Sequence, residues 1–236
     1  MPQLSVIVPA YNEEATIISV LERIRAQQSE SAPFEVIVVD DGSRDRTKEL
    51  VEAHPELYSK FVPMPQNRGK GVAVKEGIRA ASGEFVLIQD ADLEYDPSDY
   101  PIMMRPLQLD NADMVIGSRM VAPPLTRVYY FWHKVGNRMI TLAFNLLYNT
   151  TFTDIYSGFL IFRRTMVDPD KLKVDGWGQH AEILCTVVPR ARGIYEVPIS
   201  YFGRTYDEGK KIRAHHIFPV IYEIVASRIR WQFRKR

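Results

Sequence analysis

The side chains with the clearest chemical potential are acids that follow apolar runs. Asp90-Ala91-Asp92 comes directly after Glu84-Phe85-Val86-Leu87-Ile88-Gln89. Residues two apart on an extended chain point to the same side, so both carboxylates are expected to serve one centre. Two acids with no cationic neighbour repel, and one pKa rises unless a cation compensates them. A divalent ion is the simplest compensation: Mg2+ or Mn2+ takes one or two protein carboxylates and completes its shell with water and phosphate oxygens. The competing reading is an acidic turn that caps a helix. Asp40-Asp41-Gly42-Ser43 closes a second apolar run, Phe34 to Val39, and there plain turn chemistry competes, because Asp-Gly favours tight turns and Ser caps helices. Asn67-Arg68-Gly69-Lys70-Gly71 opens a helix-period segment, and its first amides are expected to be open to a phosphate. It is neither GxxxxGKS/T nor a full GxGxxG, since Val74 stands where the third glycine belongs. That argues against a P-loop ATPase and against a dinucleotide oxidoreductase.

These clusters need a scaffold, and the pattern supplies one. Apolar runs of strand length (Leu4 to Val8, Phe34 to Val39, Phe61 to Pro63, Glu84 to Gln89, Asp113 to Gly117) alternate with helix-period segments. The helical stripe is Ile17, Val20, Leu21 and Ile24 in the first, and the others run from about Asp45 to Ala53 and from Lys70 to about Ala81, with Gly83 placed to terminate the last. Alternation of this kind predicts βαβ units and a mostly parallel α/β sheet flanked by helices. Each polar cluster lies beyond the carboxyl end of a strand, where open α/β sheets hold their ligands.

The chain has 236 residues, 46% hydrophobic and 25% charged, the composition of one globular domain with appendages. A single cysteine, Cys185, excludes an intrachain disulfide and a Cys-based zinc site and fits a reducing compartment. No secretory-leader pattern and no membrane-span-length apolar run is visible, so a cytoplasmic location is expected. The net charge of +1 hides an asymmetry: Ser227 to Arg236 carries five basic residues and no acid, leaving 25 basic against 29 acidic residues before it. Nucleic-acid binding is a poor reading of that tail, because no basic groove or recognised fold accompanies it.

Taken in order, Ser5-Val6-Ile7-Val8-Pro9-Ala10-Tyr11-Asn12-Glu13, Val38-Val39-Asp40-Asp41-Gly42-Ser43, Asn67-Arg68-Gly69-Lys70-Gly71 and Gln89-Asp90-Ala91-Asp92-Leu93 resemble glycosyltransferase family 2. The resemblance is to the branch of dolichyl-phosphate mannose and polyprenyl-phosphate hexose synthases. It continues more weakly through Gly117-Ser118-Arg119, Thr153 to Phe159, Glu196 to Arg204 and Glu208 to Lys211. It implies a GT-A fold, with a Rossmann-like nucleotide-sugar half at about 1–118, an acceptor half at about 119–213 and a basic amphipathic helix at 214–236. It also implies inverting hexose transfer from a nucleoside diphosphate sugar of the GDP-mannose or UDP-glucose type.

Carried over by position, the resemblance implies that Pro9, Tyr11 and Glu13 cradle the nucleoside and that Asp40 or Asp41 contacts base or ribose. Lys70 and Asp90 fall in the donor-binding set. Asp90 and Asp92 form the Asp-x-Asp pair, with Asp92 the direct ligand of Mg2+ or Mn2+; Glu94 stands where close relatives often have glutamine, and its oxygens still suit the metal. Arg204 and Lys210 are implied on a loop over the diphosphate, where fixed positive charge stabilises the transition state. Arg119 is implied toward an acceptor phosphate. An ionised lipid phosphate attacks without a strong base, whereas a hydroxyl of a glycan, small molecule or protein needs one; Glu182 is the candidate base for that alternative, or instead orients the acceptor, or is an ordinary helix-surface acid. His180 is read as structural.

The segment from Leu125 to Tyr148 and the stripe Ile217, Val220, Ile221, Ile224, Val225 followed by Trp231 and Phe233 predict amphipathic helices that lie in a lipid headgroup layer. The expectation is a peripheral enzyme on the cytoplasmic membrane face, held directly or by a membrane-anchored partner. Leu160, where arginine is common, and Arg213-Ala214-His215-His216 after Lys210-Lys211 depart from the lipid-synthase pattern. The remaining alternative, from another class, is a non-catalytic nucleotide-sugar-binding subunit or membrane scaffold.

Overall fold

The computed structural model describes residues 4–29, 33–121, 131–176, 178–203 and 217–234. Along the chain run β1 (Leu4–Ala10), α1 (Ile17–Ala26), β2 (Phe34–Asp40), α2 (Thr47–Glu52), β3 (Lys60–Pro63), α3 (Lys70–Ala80) and β4 (Phe85–Ile88). Then follow α4 (Tyr100–Met104), β5 (Ala112–Ser118), α5 (Phe131–Tyr148), β6 (Leu160–Arg163), α6 (Gln179–Val187), β7 (Gly193–Pro198) and α7 (Ile217–Arg234). The strands form one sheet in the order β3-β2-β1-β4-β6-β5-β7. All neighbours pair in parallel except β6, which runs antiparallel between β4 and β5.

The Val- and Ile-rich strands form because both faces of the sheet are covered. Alternate residues of β1 and β2 serve opposite cores. Ile7, Ile37 and Val39 pack with α3 residues Val74 and Ile78 and with residues from α5, α6 and α7. Val6, Val8, Val36 and Val38 meet the α1 stripe Ile17, Val20, Leu21 and Ile24, as its periodicity predicts. The order switches beside β1, with β2 on one side and β4 on the other. The carboxyl ends of these parallel strands, where ligands bind in such sheets, carry the polar loops.

Two features differ from the sequence reading. α3 ends at Ala80, and Gly83 does not supply a left-handed cap. Gly83 instead lets the chain pass close to β1: a Cβ there would lie 2.7 Å from Ser5 Oγ. The antiparallel insertion of β6 leaves no local signature, because its four residues pair with Phe85 to Ile88 and with Met114 to Ile116 far away in sequence.

Candidate active site

The donor-side loops are bound to one another. Pro9 and Ala10 end β1 in register with Val39 and Asp40 of β2. Beyond them Asn12 adopts φ 53°, a region Asn tolerates better than most residues. Its amide donates to Ser43 Oγ at 3.0 Å, and its Oδ1 accepts from Arg44 N at 2.8 Å. Glu13 N donates to Thr47 Oγ1 at 2.8 Å and Glu14 N to Asp45 Oδ2 at 3.1 Å. Thr16 Oγ1 donates to Ala91 O at 2.7 Å and so ties the first loop to the acidic turn. Tyr11 and Glu13 therefore stand on a loop fixed from two sides.

Asp41 and the glycines near it form the next layer. Asp41 is buried; its Oδ1 accepts from Arg68 N and its Oδ2 from Gly69 N, each at 2.8 Å. Burial raises its pKa, and Asp40 adds to the rise, against those two amide bonds. Asp40, also buried, accepts more weakly from Ser43 N, at 3.3 Å. Gly42 makes the turn at φ 65°, with room for no side chain: a Cβ would lie 2.5 Å from the Gln66 carbonyl carbon. The expectation of open amides at the start of α3 is corrected here. Arg68 and Gly69 donate to Asp41, and Gly71 N donates to Asp175 O at 2.8 Å.

The acidic motif is also arranged differently from its prediction. β4 stops at Ile88, and Asp90-Ala91-Asp92 enters a turn in which Leu93 takes φ 61°. Left-handed backbone on a bulky residue stores strain of about 1 kcal/mol or more, a known mark of functional loops. The two acids thus leave the extended geometry that would aim them together. Asp90 forms an ion pair with Lys70 Nζ, so a cationic neighbour does exist. Burial would lower the Lys70 pKa, but the Asp90 charge and hydrogen bond, with Asp92 beyond, raise it. Asp92 Oδ1 accepts from Glu94 N at 3.2 Å, and Glu94 Oε2 accepts from Tyr201 Oη at 2.9 Å.

This donor set fits a divalent ion of one kind. Among the described residues no three His, Cys, Asp or Glu side chains converge on a metal position, and Asp90 is already neutralised by Lys70. Asp92, with Glu94 next to it, would offer such an ion one or two carboxylates. Magnesium and manganese are held that way when substrate phosphates and water provide the other ligands.

After β5, Arg119 reaches Asp154 through Nε at 2.7 Å and Nη2 at 2.9 Å, and Nη2 also reaches Tyr156 O at 3.0 Å. Asp154 is fully buried. Burial opposes the Arg119 charge, but Asp154 outweighs it and the guanidinium stays protonated. The guanidinium also lies 5.0 Å over the Tyr201 ring. Arg119 is thus anchored by a buried carboxylate. Sequence reasoning gave Asp154, Tyr201 and Thr16 no role; Asp154 and Tyr201 lie inside the motifs quoted above, and Thr16 carried no signal.

Glu182 is corrected most. It is neither a surface acid nor an open base: buried on α6, it accepts from Lys173 N through Oε1 at 2.7 Å and from Val174 N through Oε2 at 2.9 Å. His180, two residues earlier on the same helix, has a buried Nε2 with no hydrogen-bond partner among the described residues. Its pKa falls to about 4, driven by burial and then by Lys70, so the ring is neutral at physiological pH. Arg204 and Lys210 lie outside the described residues, as do Leu125 to Tyr130 and Arg213 to His216.

The helices α5 and α7 are apolar on two sides. Ile140, Phe144 and Tyr148 of α5 and Val220 and Ile224 of α7 pack into the core. On the outer side Trp132 is 77% exposed, Leu146 76% and Tyr222 72%, with Met139, Leu142, Val225 and Ile229 exposed beside them. Among the described residues no helix is long and apolar enough to cross a membrane.

Set beside known proteins, residues 5–169 match the family model for glycosyl transferase family 2. The chain belongs to this family, and its sheet is that of a GT-A glycosyltransferase. It is 33% identical over 206 residues to the glycosyltransferase AglJ of Haloferax volcanii, covering 84% of this chain and 63% of that one. It is 28% identical over 225 residues to the dolichol-phosphate mannosyltransferase of Pyrococcus furiosus, covering 94% and 62%. The chain thus spans less than two thirds of the length of either relative. The fold matches glucosyl-3-phosphoglycerate synthase from Mycobacterium tuberculosis, crystallised with Mn2+, uridine-diphosphate-glucose and phosphoglyceric acid. The TM-score is 0.73 at 23% identity, over 96% of this chain and 79% of that one.

Proposed function

We propose that this chain transfers a hexose, with inversion, from a nucleoside diphosphate sugar to a polyprenyl or dolichyl phosphate while lying on the cytoplasmic face of a membrane. The observation that carries the lipid acceptor is the outer face of α5 and α7. Large apolar side chains are exposed there, on two helices that pack together, α7 also packing on α6. Burying each Trp or Leu of that face in a lipid interface would contribute roughly 1.5–3 kcal/mol. The name of the Pyrococcus relative supports the same acceptor class, and the commitment of Glu182 to two backbone amides weighs against a hydroxyl acceptor that needs a base.

In this reading Pro9, Tyr11 and Glu13 hold the nucleoside, with Asp40 contributing while Asp41 keeps the adjoining loop in place. Asp92 holds Mg2+ or Mn2+, with Glu94 oriented by Tyr201. The ion, when bound, stabilises the charge on the departing diphosphate as a Lewis acid. Lys70 fixes Asp90 and places a positive charge beside the donor. Arg204 and Lys210, which the family resemblance implies lie over the diphosphate, add charge to it. Arg119, set in place by Asp154, faces the acceptor phosphate, whose ionised oxygen forms the new bond to the anomeric carbon as the bond to the diphosphate breaks. A membrane-anchored partner protein can share the docking.

The test is a matrix of UDP- and GDP-sugars against polyprenyl phosphate, with and without manganese, scored by label extracted into organic solvent. Metal-dependent transfer into that phase is expected for one donor. Label moving only to a hydroxyl acceptor would overturn the lipid assignment. No metal-dependent loss of any sugar nucleotide would leave a non-catalytic binding subunit.

A further inference from the structure

We propose that Glu182 is a positioning residue for the Lys70–Asp90 pair and acts through residues 173–175, which form a strap across the start of α3. Each link is a bond in the structure. Glu182 fixes the strap at the amides of Lys173 and Val174, at 2.7 and 2.9 Å. The strap fixes α3 in turn: Asp175 O accepts from Gly71 N at 2.8 Å, and Asp175 Oδ1 accepts from Lys75 Nζ at 2.7 Å. Lys70, the first residue of α3, lies between the two glycines that the strap touches and pairs with Asp90.

The packing leaves no slack. A Cβ on Gly69 would lie 2.6 Å from Asp175 O, and one on Gly71 would lie 2.5 Å from Val174 O. The strap therefore rests on the backbone of α3 itself. A buried carboxylate that accepts two amides is costly to replace, because an amide side chain presents a donor to one of those N–H groups and leaves it unsatisfied. Asp41 holds Arg68 and Gly69 from the donor side with the same two-amide grip. Lys70 is thus set between one carboxylate of the nucleotide half and one of the acceptor half.

Hydrogen exchange on the unliganded protein tests the relay directly. Glu182→Gln should speed exchange of the Gly71 amide about tenfold, the effect of losing roughly one hydrogen bond's worth of protection. The Cys185 thiol, buried on the same helix, should stay unreactive to a thiol reagent. Unchanged Gly71 exchange would overturn the proposal, and so would Gly71 and Cys185 opening together, since Glu182 would then serve only to dock α6. Should Glu182→Gln fail to fold, Lys75→Met releases the second tether of the strap and should speed Gly71 exchange in the same direction.

A second arm rests on the transfer activity proposed above. Glu182→Gln should lower kcat without removing a limb of its pH profile, and should add little once Lys70 is Met. A lost limb, or effects that multiply, would overturn positioning. Exchange needs neither donor nor acceptor, so a failure of the transfer reading is told apart from a failure of the relay.

Discussion

In the loops after β1, β2 and β4, polar groups of one loop end on another: Asn12 on Ser43 and Arg44, Glu13 on Thr47, Asp41 on Arg68 and Gly69, Thr16 on Ala91. Around α5, α6 and α7, by contrast, a buried His180 nitrogen has no partner among the described residues, and α5 and α7 turn Trp132, Leu142, Leu146 and Tyr222 to the outside. The first region is shaped before anything binds. The second has surfaces whose satisfaction must come from elsewhere, since large exposed apolar patches mark interaction sites. Under the function proposed above, the first region would be the donor side and the second the acceptor side, a preformed pocket for a small polar donor beside a surface for a bulky apolar acceptor.

The sharpest way to break this contrast is at the acidic turn. Asp92→Asn should lower turnover roughly 10²–10³-fold, the scale of losing several kcal/mol of charge stabilisation on the leaving group. The melting temperature should change little, because Asp92 is only half-buried. Turnover near the wild-type level in a label-transfer assay would remove the metal from Asp92. Glu94→Gln should cost far less, since a carboxamide oxygen still accepts from Tyr201 Oη; an effect equal to that of Asp92→Asn would make Glu94 the primary ligand instead.

The acceptor side is tested by wetting its outer face. Trp132→Ser combined with Leu146→Ser should weaken binding to anionic vesicles about 10–100-fold, on the scale of two lost apolar anchors. Nucleotide affinity and stability should hold within ~0.5 kcal/mol, as for surface substitutions generally. Unchanged sedimentation with vesicles would mean that this face meets a protein.

The contrast also governs what could be read in advance. β1, β2, β4 and the α1 stripe were legible because their period is local, and the acidic and glycine clusters because each follows such a strand. Lys70 and Asp90 lie twenty residues apart, yet the pair has a topological signal: α3 begins, and the parallel strand after it ends, at the same sheet edge. The strap was not legible, because Gly71 and Asp175 are joined by one backbone bond between segments far apart in sequence, and Glu182 holds the amides of Lys173 and Val174 through its carboxylate, links that no periodicity records. The sequence predicts a single face for the α7 stripe, whereas its positions divide between core and exterior: Val220 and Ile224 are buried and Val225 is exposed.

The smallest expected effect lies at the far end of the donor half. Glu35 Oε1 accepts from Ser5 Oγ at 2.6 Å and from Ser82 N at 2.5 Å, and Lys60 pairs with Oε2 at 3.2 Å. Burial alone would raise the Glu35 pKa, but these bonds outweigh it and bring it down to about 2. A carboxylate whose pKa is lower folded than unfolded stabilises the fold above its unfolded pKa and stops doing so as pH falls toward the folded value. Its contribution should therefore be whole at pH 7, diminish below about pH 4.5, and have dropped by ~1 kcal/mol near pH 3.5. Denaturant midpoints measured from pH 7 to 3.5 should converge between wild type and Glu35→Gln. Parallel curves would show that Glu35 titrates as an ordinary acid and that the donor half is held together by its loops alone.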